Sequence, residues 1–172
     1  HPDPLATGSI KKSDAVCVCC NQARGYIYTG SVLAEEALED CICPWCIANG
    51  EAHEKLDAEF TDFDAIGDYG QWDDVPDAVR EEVATRTPGF AGWQQERWWT
   101  HCGDAAEFLG SAGRKDVEAH GPELMEALRV EAGLDGAEGD RYLQSLSKTG
   151  SPTAYIFRCR HCGKPGGYSD SD

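Results

Sequence analysis

Basic residues are scarce in this chain. Its 15 Lys and Arg stand against 31 Asp and Glu, a formal net charge of -16. A field of that sign repels nucleic-acid phosphates and anionic lipid surfaces, so neither is an expected partner. Long apolar runs are missing too, and no uninterrupted stretch approaches the roughly 20 residues that a bilayer-spanning helix needs. The opening HPDPLATGSI lacks the charged-then-apolar order of a secretory signal, so a cytoplasmic location is expected. Several catalytic signatures are absent as well. There is no H-E-x-x-H, no G-x-S-x-G, no Walker or dinucleotide glycine pattern, and no H-x-E followed by P-C-x-x-C. Pro44 belongs to CPWC, and His53-Glu54 and His101-Cys102 stand isolated. A catalytic zinc needs three protein ligands, an open position and, usually, a nearby carboxylate base. The chain advertises no such set, and an enzyme is the less favoured reading.

Cysteine, by contrast, is abundant: nine in 172 residues, an odd number that argues against a secreted disulfide framework. Six fall into three C-x-x-C pairs, Cys17/Cys20, Cys43/Cys46 and Cys159/Cys162. In a reducing compartment, pairs at this spacing are metal ligands more often than disulfides. A C-x-x-C turn aims two sulfurs at one ion, and two turns complete the tetrahedral shell that Zn²⁺ prefers. Cys17 and Cys20 precede a short strand at 26–29, and Cys43 and Cys46 sit where a helix is expected to begin. Turn, hairpin and helix-borne pair is the order of a treble-clef zinc finger, with 22 residues between Cys20 and Cys43. The competing reading is a dithiol redox pair at CPWC, which would require a βαβ unit leading into it. The preceding sequence is cysteine-rich loop instead.

Cys159-Arg160-His161-Cys162-Gly163 is a further half-site, in which Gly163 permits a positive φ after the second cysteine. Cys102 is the expected third ligand there, with His101, Cys19, Cys41 or His161 as candidate fourths. His101 and Cys102 diverge by about 100° on a helix, so they share an ion only in a non-helical turn. One zinc is therefore expected, and a second has three or four candidate donors. Cys102 could equally be a small core residue.

The chain is long enough to bury one real core, so metal supports folding without replacing it. The expected class is α+β: a treble-clef-like zinc module over 1–60, an acidic, mainly helical body over 61–150, and a cysteine-bearing hairpin over 151–172 packed on the same domain. Helices are expected over 46–60, from about Pro76 with Asp74 as cap to just before Pro88, over 103–113 and over 121–132. An acidic loop is expected over 61–74, and Gly133, Gly136 and Gly139 mark another loop. Residues 51–90 hold 12 acidic against 3 basic side chains, a net of -9. Asp73, Asp74, Asp77, Glu81 and Glu82 are the candidate partner-binding carboxylates of that stretch. A run of this kind is usually a solvated face. Trp98 and Trp99 are read as packing or, if exposed, as interface anchors.

CVCC, the CPWCIANGEAHEKLDAEF block, DDVPDAVREEVATRTPGFAGWQQERWWTHCGDAAEFLG and the terminal FRCRHCG together resemble the CbrC family, over nearly the whole chain except 133–152. The resemblance implies that Cys17, Cys20, Cys43, Cys46, Cys102, Cys159 and Cys162 matter together. It also implies a further family cysteine where this chain has Ala106. The family has no established enzyme activity and is associated with tolerance to nuclease colicins, and relatives look like immunity proteins of toxin–antitoxin systems. The expected function is thus a zinc-stabilised, acidic immunity protein that captures a basic toxin domain, such as a nuclease. The alternative is a zinc-dependent enzyme or dithiol redox protein.

Overall fold

A computed structural model describes residues 1–172. It is a mixed α+β structure of two compact units, one comprising His1, 3–91 and 96–105, the other Pro2, 92–95 and 106–172. No helix is long and apolar enough to cross a membrane.

In the first unit, β1 (Ile10–Lys12) pairs antiparallel with β2 (Tyr26–Tyr28), Ile10 facing Tyr28. Their connection folds back on itself through a bridge between Val16 and Ala23, and within it the 17–20 turn closes when Asn21 N–H donates to the Cys17 carbonyl. The expected helix over 46–60 is instead two short ones, α1 (Pro44–Ala48) and α2 (Glu51–Leu56). The break falls at Asn49-Gly50 because Gly50 takes φ 84°, a conformation that ends one helix and lets the next start at an angle. Phe60 is buried, as expected, but from a bend beyond the end of α2, where Tyr28 meets it edge-on at 5.3 Å. The 61–74 segment is irregular apart from single 3₁₀ turns at Phe63–Ala65 and Asp68–Gly70, yet it is not a free acidic loop. Ala65, Ile66 and Asp68 are buried, and Asp68 pairs with Arg97 at 2.8 Å.

Helix α3 (Asp77–Arg86) starts after Pro76, which itself occupies the cap position; no side chain, Asp74 included, caps it. The stretch expected to be helical from 103 is extended. β3 (Thr100–His101) and β4 (Asp104–Ala105) form a hairpin with Cys102 and Gly103 at its tip, both at positive φ.

The second unit holds a three-stranded antiparallel sheet in the order β5 (Glu107–Ala112), β6 (Thr153–Arg158), β7 (Pro165–Asp170). Along β5 the buried positions are Phe108, Gly110 and Ala112, a period of two that outweighs the helix propensity of D-A-A-E-F-L. Helices α4 (Arg114–His120), α5 (Pro122–Glu131) and α6 (Gly136–Ser145) pack with this sheet around Ala112, Val117, Leu124, Leu128, Leu143, Leu146, Ala154 and Ile156. The loop expected at Gly133, Gly136 and Gly139 is present only at Gly133, which turns at φ 67° after α5, whereas Gly136 and Gly139 belong to α6. Gly139 lies inside it, and a Cβ there would meet the Arg129 side chain at 3.1 Å, so the glycine marks a close approach of α5 and not a turn.

Candidate metal centre

The four cysteines of the first two pairs converge. Cys17 and Cys20 come from the turn between β1 and β2, while Cys43 and Cys46 come from the start of α1, where Pro44 fixes the first helical φ. Cys17 and Cys46 sulfurs lie 3.9 Å apart, as do those of Cys20 and Cys43, and Cys43 and Cys46 lie 3.5 Å apart. All four fall within 4.8 Å of one another. Four sulfurs around an ion at about 2.3 Å stand roughly 3.8 Å apart, whereas a disulfide requires about 2.05 Å. The spacing matches a shared ion, and the thiols are unbridged.

The surroundings are apolar. Cys17, Cys43 and Cys46 are fully buried in the same cluster as Ile27, Tyr28, Leu38, Ile42, Ile47 and Phe60. Burial pushes the Cys43 and Cys46 thiols up. Burial acts in that direction on Cys17 too, yet backbone N–H groups, first that of Cys43 at 3.2 Å, bring it down to about 7. The site thus supplies dipoles for one thiolate and desolvates the others, so a dication is the counter-charge that lets them ionise together. A metal ion fits this donor set.

Cys19 and Cys41, considered from sequence as fourth ligands for the distant pair, pack instead against this first cluster. Cys19, Cys46 and Glu51 form a second group within 4.8 Å, with the Glu51 carboxylate 3.8 Å from the Cys46 sulfur. Glu51 had escaped the sequence reading; its only signal was the i,i+4 spacing to Lys55, with which it pairs at 3.5 Å.

The remaining donors are held by two tight turns, one in each unit. His101 ends β3 and Cys102 follows at φ 57°, so the required non-helical turn is present and the Cys102 sulfur lies 3.2 Å from His101 Nδ1. Two features fix this tip. Cys102 N–H donates to Asp73 Oδ2 at 2.7 Å, and Trp99 stacks on the imidazole at 5.2 Å. In the other unit the 159–162 turn joins β6 to β7. Cys159 is buried and accepts from His161 N–H, and Gly163 adopts φ 75° while donating to the Cys159 carbonyl. The positive φ expected of Gly163 is thus observed.

Of the candidate partner-binding residues, Asp73, Asp74, Asp77, Glu81 and Glu82 are exposed. The tryptophans are not. Trp98 is 1% and Trp99 8% exposed, so neither can anchor a partner. The reason is extended chain: Trp98 sits in a bridge with Ile66 and packs against Phe90 and His1, while Trp99 covers His101.

Fold and site together define a cysteine-rich α+β protein whose first unit carries a four-sulfur cluster able to hold a metal ion. The chain belongs to UPF0167, an uncharacterised protein family whose model matches residues 1–171. It is 49% identical over 176 residues to the UPF0167 protein Mb2317 of Mycobacterium bovis, covering 99% of this chain and 90% of that one. It is 40% identical over 165 residues to the UPF0167 protein PA1536 of Pseudomonas aeruginosa, covering 95% and 90% respectively. No solved structure matches.

Proposed function

We propose that this protein is a zinc-stabilised, acidic immunity or tolerance protein that captures a basic toxin domain, a nuclease being the favoured target. The observation that carries the reading is the one-sidedness of α3 and its lead-in. Asp77 and Glu81 stand one turn apart, and Asp74 and Glu82 extend the same exposed, acidic stretch. Like charges at i,i+4 cost a helix a few tenths of a kcal/mol, so local stability does not call for this pattern. The two arginines of the helix do not relieve it. Arg80 lies over the Phe63 ring and Arg86 donates to the Ala48 carbonyl. From Asp73 to Arg86 five carboxylates still stand against two guanidiniums, a net negative surface suited to steering a basic domain. The resemblance to CbrC proteins points the same way.

Zinc is the ion this reading assigns to Cys17, Cys20, Cys43 and Cys46, in a treble-clef-like arrangement of turn, hairpin and helix. Four thiolates fill the tetrahedral shell and leave no coordination position for a substrate, which favours a structural role over catalysis there. The proposal keeps a second zinc, for which the turn of Cys159 and Cys162 supplies two sulfur donors. The experiment is association kinetics between the purified protein and a DNase-type colicin nuclease domain across an ionic-strength series. The on-rate should fall steeply with salt, and neutralising Asp74, Asp77, Glu81 and Glu82 should slow capture and flatten that dependence. A salt-indifferent rate, or the absence of binding to such a domain, would overturn the reading.

A further inference from the structure

The four-sulfur cluster has a neighbour that its own chemistry does not require. Glu51 opens α2 and places a carboxylate oxygen 3.8 Å from Cys46, a sulfur that the ion reading makes a thiolate. An anion facing a metal-bound thiolate is repelled. Lys55 pairs with Glu51 only at the surface, where both side chains are largely solvated and water screens the charge. Cys19 completes the group. It is the one member of CVCC placed with both Cys46 and Glu51, all three donor atoms within 4.8 Å. Glu51 and Cys19 are both partly exposed, in contrast to Cys46, so the group opens outward from the buried cluster.

We infer that Cys19, Cys46 and Glu51 form a second cation site in which Cys46 bridges two divalent ions. A thiolate has lone pairs for two metals, and a second dication turns the Glu51 contact from repulsive to ligating. The donor set of two sulfurs and one carboxylate suits Zn²⁺, with a fourth position left for water. Bond lengths of about 2.0–2.3 Å require the donors to draw slightly closer than their present envelope, a movement that the long Glu51 side chain can supply. Three protein donors and partial exposure make this ion the more exchangeable of the two.

The inference rests on the four-sulfur reading, and the test separates their failures. Metal-free full-length protein would be titrated with ¹¹³Cd²⁺ and followed by cadmium NMR. The four-sulfur ion should give one resonance, split by scalar coupling through Cys46 to a second resonance of the mixed sulfur–oxygen set. Cys19→Ser and Glu51→Gln should each remove the second resonance and collapse the splitting, while the first persists. Glu51→Gln, a surface change, guards against a Cys19 variant that folds poorly. A four-sulfur resonance without a coupled partner, or splitting that survives both substitutions, overturns the bridged site alone. Absence of any four-sulfur resonance overturns both readings.

Discussion

Cys43→Ser tests the metal centre most directly. Cys43 has no solvent exposure, its sulfur contacts those of Cys20 and Cys46, and its N–H donates to Cys17. The change has two costs. A hydroxyl in the apolar pocket lined by Ile42 and Ile47 lacks the partner it needs, at about 1–3 kcal/mol. The larger cost is the ion. Structural zinc contributes about 10–16 kcal/mol in small metal-dependent folds, against a total stability of about 5–15 kcal/mol for an ordinary domain. Each tenfold loss of affinity for the ion removes about 1.4 kcal/mol of that contribution, and loss of one thiolate in four costs more than one such step. Hydrogen exchange by mass spectrometry is the assay, on the variant and on wild type treated with a chelator. The amides of Val18, Tyr28 and Cys43 should lose protection, because they bond across the segments that the cysteines tie together. Amides of β5 and β6 serve as the internal comparison. Unchanged protection and an unchanged Tm after verified metal removal would refute the reasoning.

Gly89→Ala should cost about 1–3 kcal/mol in denaturant titration, since a Cβ would stand 2.0 Å from the Phe60 carbonyl oxygen. Arg97→Gln should cost about 2 kcal/mol by leaving the buried Asp68 carboxylate without its ion-pair partner, and a double variant with Asp68→Asn should cost less than the sum of the two. Burial raises the Tyr142 hydroxyl pKa above its ordinary value, only partly offset by its bond to Ser169. Its stabilisation is therefore complete below about pH 10 and is lost as pH rises through the raised value, so alkaline melting should lose that component in Tyr142→Phe. Elemental analysis should find a lower zinc content after Cys17→Ser and again after Cys159→Ser, and a content unchanged by a substitution would refute the ion proposed at that turn.

The cysteine turns were legible because their geometry is local. Three residues of spacing fix where two sulfurs point, Gly163 supplies the positive φ that its turn needs, and the strand–turn–strand at the C-terminus follows from short-range pattern. The α5 helix was equally plain, opened by Pro122 and carrying Leu124 and Leu128 inward. Other features depended on what came to lie alongside. E-F-L-G-S-A became β5 because β6 offered a partner, and Gly139 has no side chain where Arg129 packs close against α6. Burial of Trp98 required Ile66, Phe90 and His1 to arrive from elsewhere in the chain, while Trp99 stacks on His101. Sequence by itself determined the donor inventory and the acidic excess, since composition and C-x-x-C spacing are properties of the chain. The spacing and order of the first two C-x-x-C turns already grouped Cys17, Cys20, Cys43 and Cys46, but only the tertiary structure fixed the distances and the further donors beside them. It brought Cys17 to Cys46 across 29 residues, drew Cys19 to the first cluster, and set Glu51 beside a sulfur. Distances between side chains far apart in sequence are fixed by packing, which no local spacing encodes.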